Sequence, residues 1–122
     1  MWGMPDALAC LEHTREYASM DEEDRSIALT RALRWMGSKE VFEASTATGS
    51  TYHVMRHPEG GYEITGGRSL RGWERADIVG AVPDSSGYAR LAVIRADPGA
   101  DDKSLTTSPV MQWRIVPRTQ AG

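Results

Sequence analysis

At Glu40 the spacing of apolar residues changes, and no other feature constrains the fold so strongly. Before it, Ile27, Leu29, Ala32, Leu33 and Met36 recur at intervals that place side chains on one stripe of a helix. After it, apolar and polar residues alternate in short runs, the pattern of half-buried strands. A chain that switches once between these periods must pack a helical part against a β-rich part. The expected class is α+β: two N-terminal helices packed on a small, mainly antiparallel five- to six-stranded sheet or open barrel. With 122 residues the chain has the length of one domain. That domain is read as 1–122, with a helical part over 5–37, a β-rich part over 40–117 and a frayed tail over 118–122.

Local signals place the elements. Pro5-Asp6 opens a first helix that reaches about residue 17, with Leu8 and Leu11 at helical spacing. Ser19 stands three residues before Glu22 in a capping-box pattern, and Asp21, Glu22, Glu23 and Asp24 set negative charge against the start of a second helix. Asp21 and Arg25 lie one turn apart and are expected to pair, and Gly37 supplies the stop. Strands are predicted over 41–46, 51–57, 62–65, 89–96 and 110–116, with a short one around Trp73 in the ambiguous stretch 68–79. The last strand places Met111, Trp113 and Ile115 on one face. Ala47-Thr48-Gly49-Ser50, Pro58-Glu59-Gly60-Gly61 and Gly66-Gly67 are turns, and 98–104 is a polar hinge. Phe42 is the single phenylalanine, so Trp2, Trp35, Trp73, Trp113 and the tyrosines are expected to supply the large buried contacts. Strand 41–46 or 110–116 is a candidate sheet edge, and an open edge makes a homodimer an expectation.

Charge and cysteine usage narrow the classes. The net charge is −3, which argues against a general nucleic-acid binder. Residues 1–50 hold five basic and nine acidic side chains, whereas 51–122 hold nine and eight, so the acidity belongs to the helical part. The basic set is almost all arginine, and with the abundant alanine and glycine this suggests a GC-rich bacterial or phage gene. Cys10 is the only cysteine, which rules out an intramolecular disulfide and a thiolate metal cluster. The first residues lack the basic start and long apolar run of a signal peptide or membrane span, so a cytoplasmic location and no membrane partner are expected.

Thr48-Gly49-Ser50-Thr51-Tyr52-His53-Val54 and the later Thr107-Ser108-Pro109-Val110 carry a resemblance. The pair resembles a loose motif set, Gly-Ser-x-Tyr and Thr-Ser-Pro-Val strands, in small bacterial and phage proteins without assigned activity. It covers roughly residues 45–116 and implies no chemistry. Its physical content is a tight turn at Gly49 and an edge-strand entry at Ser108-Pro109.

The chemistry-bearing residues fall short of a catalytic set. His53 and His57 have a spacing that chelates a metal on a helix, but on a strand it sets them about 13 Å apart. His13 is on the first helix without a ligand-like neighbour. Cys10, between Ala9 and Leu11, reads as a packed thiol. Ser50 and Ser108 sit in turn contexts outside any nucleophile elbow. Asp21, Glu22, Glu23 and Asp24 share one helical turn and read as an acidic face. No catalytic residue, metal or cofactor is expected.

One segment suggests a surface. If the second half of Gly67-Arg68-Ser69-Leu70-Arg71-Gly72-Trp73-Glu74-Arg75 is extended, Arg71, Trp73 and Arg75 project together. Guanidiniums flanking an indole suit single-stranded nucleic acid or a protein hot spot. Arg68, Arg56, His53 and His57 would extend the patch. The ordinary alternative makes Trp73 core and gives the arginines Glu74 and Asp77 as partners. The function expected first is a non-enzymatic protein-interaction module, for example a phage or mobile-element inhibitor of a host or defence complex of the anti-CRISPR type. A nucleic-acid-binding β-module using the Arg/Trp patch comes second, and a small enzyme without a recognisable motif third.

Overall fold

A computed structural model describes residues 17–67, 70–96 and 104–118, the Arg71 side chain excepted. The first predicted helix, with Cys10 and His13, falls outside the described residues; residues 17–19 are helical. Helix α1 (Glu22–Trp35) begins at Asp21, whose carboxylate accepts the Asp24 N–H at 2.8 Å. The cap is therefore Asp21 and not Ser19. Glu22, Glu23 and Asp24 follow in the first turn, where the helix dipole favours them. The helix ends at Met36, and the Gly37 N–H donates to a Glu40 carboxylate oxygen at 2.6 Å.

Leu29, Leu33 and Met36 form the buried stripe of α1, but Ile27, expected among them, is 43% exposed. Arg25 takes the inward place instead. It does not pair with Asp21: its Nε donates to the Tyr17 carbonyl at 2.8 Å, and its terminal nitrogens donate to the Ala18 and Gly87 carbonyls.

Six strands follow: β1 (Glu40–Thr46), β2 (Thr51–Arg56), β3 (Tyr62–Gly66), β4 (Leu70–Pro83), β5 (Ala89–Arg95) and β6 (Ser104–Pro117). Each pairs antiparallel with the next, and β6 returns to β1, so the sheet closes into a barrel. The fold is mostly β with small helical elements, a closed form where a sheet or open barrel was expected. Closure overturns the edge assignments. Strand 41–46 and strand 110–116 pair with each other, from Glu40 opposite Pro117 to Thr46 opposite Val110, so neither is an edge.

Two strands are much longer than the sequence suggests, because each serves two neighbours. The first part of β4 pairs with β3 and, from Ala76 on, the strand pairs with β5. The first part of β6 pairs with β5 and, from Val110 on, the strand pairs with β1. Such corner strands let a short sheet fold over on itself, and bulges ease the bend. One shift in β4 register falls at Asp77, between the Ala76–Arg95 and Ile78–Ile94 pairs. Another at Ser45/Thr46 leaves Met111 unpaired, and Met111 is 39% exposed instead of facing inward with Trp113 and Ile115.

The barrel interior is filled by Phe42, Ala44, Tyr52, Val54, Ile64, Leu70, Ala76, Val79, Leu91, Val93, Val110 and Trp113. Phe42 and Trp113 stack across the closing seam with ring centroids 5.5 Å apart. Trp113 is the one described tryptophan in the core. Trp35 is 80% exposed and Trp73 47%, contrary to the expectation that tryptophans dominate burial. Gly66 has φ +135°, and a Cβ there would lie 2.3 Å from the Thr51 carbonyl oxygen, so β2 and β3 can approach only at a glycine.

Helix α1 runs along the side of β4 that β5 leaves open. Thr30 Oγ1 accepts the Ala81 N–H at 3.2 Å, and Tyr62 donates its hydroxyl to the Leu33 carbonyl at 3.1 Å. Arg56 donates to the Met36, Leu33 and Arg34 carbonyls. The helix thus covers backbone that would otherwise be an unprotected edge, and its end is satisfied by a guanidinium from β2.

Candidate functional site

The alternation of each strand sorts the outer surface into two faces of different character. On β1, β2, β3 and the first part of β4, the outward positions are mainly polar and several pair across strands, with the indole of Trp73 exposed among them. Glu43 lies opposite His53 on one side and Arg114 on the other. Its carboxylate accepts from Arg114 at 3.0 Å, and the His53 ring lies 3.8 Å away. Arg75 lies opposite Glu63, faces the Glu59 carboxylate at 3.8 Å and donates to the Gly60 carbonyl.

The expected Arg/Trp patch is only partly assembled here. Trp73 and Arg75 are exposed on the extended first part of β4, and Arg71 has its backbone in the same strand. Arg68 lies outside the described residues. Arg75 finds Glu59 and Gly60 in place of Glu74 or Asp77, and Glu74 faces Arg95 at 3.5 Å. Arg56 has the inward parity of Tyr52 and Val54 and is spent on the end of α1, so it does not join the patch. His57 accepts the Glu59 N–H on Nδ1, stabilising its own turn. Among the described residues no cluster of three His, Cys, Asp or Glu side chains could hold a metal ion.

The acidic residues Asp21, Glu22, Glu23 and Asp24 are all exposed at the start of α1. Asp21 has a clear structural use as the cap. The two segments that carry the motif resemblance come together: the Ala47 N–H donates to the Pro109 carbonyl at 2.9 Å, and Thr48 donates its hydroxyl to Ser108 at 3.2 Å. They form a hydroxyl-rich strut between the β1–β2 turn and β6, and among the described residues Ser108 meets no histidine or carboxylate there.

The second face is apolar, and its cause is the bulge in β4. Inserting Asp77 reverses the alternation, so Ile78 points out at 60% exposure and Val79 points in at 5%. Ile94 of β5 lies directly opposite Ile78 and is 38% exposed. Further along, Gly80 faces Ala92, and Val82, 41% exposed, faces Arg90. The small pair leaves a shallow floor between branched side chains. Arg90 does not present a bare charge, because it pairs with Asp84.

Sequence reasoning missed this face. The signal was present in the adjacent branched residues Ile78-Val79, which cannot both face inward from one strand. Turning it into a surface required the position of the bulge.

Among the described residues, three groups have displaced titration. Burial pushes the Tyr17 phenol up to about 12, and its hydroxyl donates to the buried Val110 carbonyl at 2.6 Å. Burial also raises the Tyr52 phenol. The Ser86 hydroxyl and N–H, then Arg90, hold Asp84 down to about 2 in the β4–β5 turn. The two tyrosine shifts come from burial in the core, and the Asp84 shift comes from its own turn and from Arg90 at the end of the apolar face. Comparison with protein-family models, with curated proteins and with solved structures found no match for this chain. No helix among the described residues is long and apolar enough to cross a membrane.

Proposed function

We propose that the chain is a non-enzymatic protein-interaction module whose contact surface is the outer face of the β4–β5 ribbon. The observation that carries this reading is the cluster of Ile78, Val82 and Ile94, exposed around the low floor of Gly80 and Ala92. A contiguous apolar patch rimmed by polar groups is a common mark of a protein contact. An inhibitor of a host or defence complex, the expectation from size and composition, is one module of this class. Such a protein needs a shaped surface and no chemistry of its own.

The charge distribution favours this reading over nucleic-acid binding. On the strand surface, where the Arg/Trp patch was expected, Arg75, Arg90, Arg95 and Arg114 each face a carboxylate. Few of its cations are therefore available to a phosphate, although Arg31 and Arg34 stay exposed on α1. Arg25 and Arg56 are occupied by backbone carbonyls.

The test is affinity capture from bacterial lysate with the wild-type chain and with the Ile78→Glu/Ile94→Glu variant. Both side chains are exposed, so the variant is expected to keep its fold. A partner retained by wild type and reduced about tenfold or more by the variant supports the proposal. Equal capture by both proteins overturns it. Low-salt gel retention of single-stranded DNA that disappears with Trp73→Ala/Arg75→Ala would replace it with the nucleic-acid reading.

A further inference from the structure

We infer that the C-terminal end of α1 receives a carboxylate-rich segment of a protein partner. The inference rests on the reading of the chain as a protein-interaction module, and it gives the partner a chemistry. Its basis is an exposed indole set among cations that the fold leaves without a carboxylate.

Trp35 closes α1 and is 80% exposed, the most exposed large apolar side chain among the described residues. An indole carries a large apolar area, and leaving it in water contributes nothing to the fold. Arg31 lies one turn before it, and Ile27, 43% exposed, one turn before that. Ile27, Arg31 and Trp35 thus form one exposed ridge.

Further cations gather where the helix ends on the barrel. The Arg118 N–H donates to the Lys39 carbonyl at 2.9 Å, and the Arg118 guanidinium donates to the Arg56 carbonyl at 3.3 Å. Arg56 in turn donates to the Met36 carbonyl at 2.7 Å and to that of Arg34. These contacts hold Arg34, Lys39, Arg56 and Arg118 around one end of α1. Neither they nor Arg31 have an ion-pair partner among the described residues. Glu40, next to Lys39 in the chain, has its carboxylate on the Gly37 N–H.

Helix capping does not account for the group. The Leu33, Arg34 and Met36 carbonyls are already met by Arg56 and by the Tyr62 hydroxyl. The side chains of Arg31, Arg34 and Lys39 are therefore not needed there. Like charges held together repel. A chain of net charge −3 has carboxylates enough to relieve that repulsion, and among the described residues none is placed to do so. An anionic partner relieves it.

The form of the surface favours a protein over a nucleic acid. Single-strand binders track phosphates along a cationic groove and stack successive bases on aromatic rings. Here the ridge runs from Arg31 back through Ile27 to Glu23 and Asp24, so a phosphate chain laid along it would meet carboxylates within about two turns. The neighbouring ring is already engaged: Tyr62 bonds the Leu33 carbonyl and has the Arg56 guanidinium 5.5 Å from its centroid. A protein can change character along a contact, and Trp and Arg are the residues on which such contacts most often depend. Carboxylates opposite Arg31 and Arg34 would fix the register of an apolar anchor against Trp35.

Panning a phage-displayed library of random peptides on the immobilised full chain tests the inference. Peptides enriched on the wild type should be rich in Asp and Glu around an apolar residue. By fluorescence polarisation of a selected peptide, Trp35→Ala should weaken binding about tenfold or more, and Arg31→Glu/Arg34→Glu by as much. Trp73→Ala should leave it unchanged. Replacing the peptide's carboxylates by lysine should restore binding to the Arg31→Glu/Arg34→Glu chain. That rescue reports charge recognition and would not follow from altered folding.

No enriched peptide, or enrichment without acidic excess, overturns the inference, as does binding indifferent to Trp35→Ala. Retention of an oligothymidine strand through Arg31, Arg34 and Trp35, in preference to the peptides, overturns it in favour of nucleic acid. The same variants separate the two surfaces. Peptide binding that needs Trp35 and Arg34 but survives Ile78→Glu/Ile94→Glu supports the α1 site independently of the β4–β5 face. A lysate partner that needs Ile78 and Ile94 but is indifferent to every α1 variant keeps the β4–β5 reading and overturns the α1 site.

Discussion

Two polar residues sit where a sequence pattern expects apolar ones or solvent, and their partners explain why. Tyr17 is 1% exposed and donates its hydroxyl to Val110, the residue at which β6 changes neighbour. Arg25 is 7% exposed, lies over the Tyr88 ring at 4.0 Å and ties residues 17 and 18 to the β4–β5 turn through carbonyls. Tyr17→Phe should cost about 1–2 kcal/mol, because a buried carbonyl loses its donor. The Tyr17 phenol is raised in the folded state, from 10.0 to about 12. The associated stability is present below pH 10 and is lost as the pH climbs through 12. Urea midpoints measured across that range should fall in the wild type and fall less in Tyr17→Phe. Asp84 behaves in the opposite sense. Its carboxyl is depressed from 3.8 to about 2, so its contribution holds above pH 3.8 and disappears as the pH falls through 2. Asp84→Asn should flatten that acid limb, read as thermal midpoint against pH.

At the scale of elements, the helix and the turns were legible, and the partnerships between elements were not. Acidic residues followed by a periodic apolar run marked α1 to within a residue or two, and the glycine pairs marked both β3 turns. The local rules read the right end and assigned the wrong cap, since Ser19 and Asp21 satisfy the same composition and only the chain path chooses between them. Nothing local could show that Arg56 would leave the surface. It alternates correctly with Tyr52 and Val54, but its use depends on α1 ending above β2. That dependence makes a prediction. Arg56→Ala removes the charged donor from the Leu33, Arg34 and Met36 carbonyls and should cost about 2–3 kcal/mol in urea denaturation. Arg56→Lys should recover less than half, because an ammonium cannot reproduce the planar fork that reaches several carbonyls at once. Full recovery by lysine would show that positive charge near the helix end is sufficient, without the geometry.

For the whole molecule, closure is the property the sequence hides, and it also governs how the molecule should fold. Each consecutive strand pair is joined by a connection short enough to be read from its turn residues or from a change in alternation. The β1–β6 seam has no such local mark: Glu43 meets Arg114 across 71 positions of chain. The exposed apolar face was hidden for a related reason, since a single inserted residue at Asp77 decides which branched side chain enters the core. Contacts between distant segments carry a loop-closure cost that must be met before they contribute, so the seam should form late. The β2–β3 hairpin, closed by a five-residue turn with glycines at 60 and 61, is the natural early structure. Refolding kinetics can separate the two. Ile64→Val in β3 removes one methylene from the hairpin's inward face and should slow refolding more than it speeds unfolding. Phe42→Leu at the seam loosens the stack on Trp113 and should speed unfolding with little change in refolding. Stopped-flow fluorescence can follow both, because Trp113 is buried in the seam while Trp35 and Trp73 are exposed. A seam substitution that mainly slowed refolding would mean the barrel closes before its transition state. The hairpin order would then be wrong, and β1 and β6 would have to meet while most of the chain between them is still unstructured.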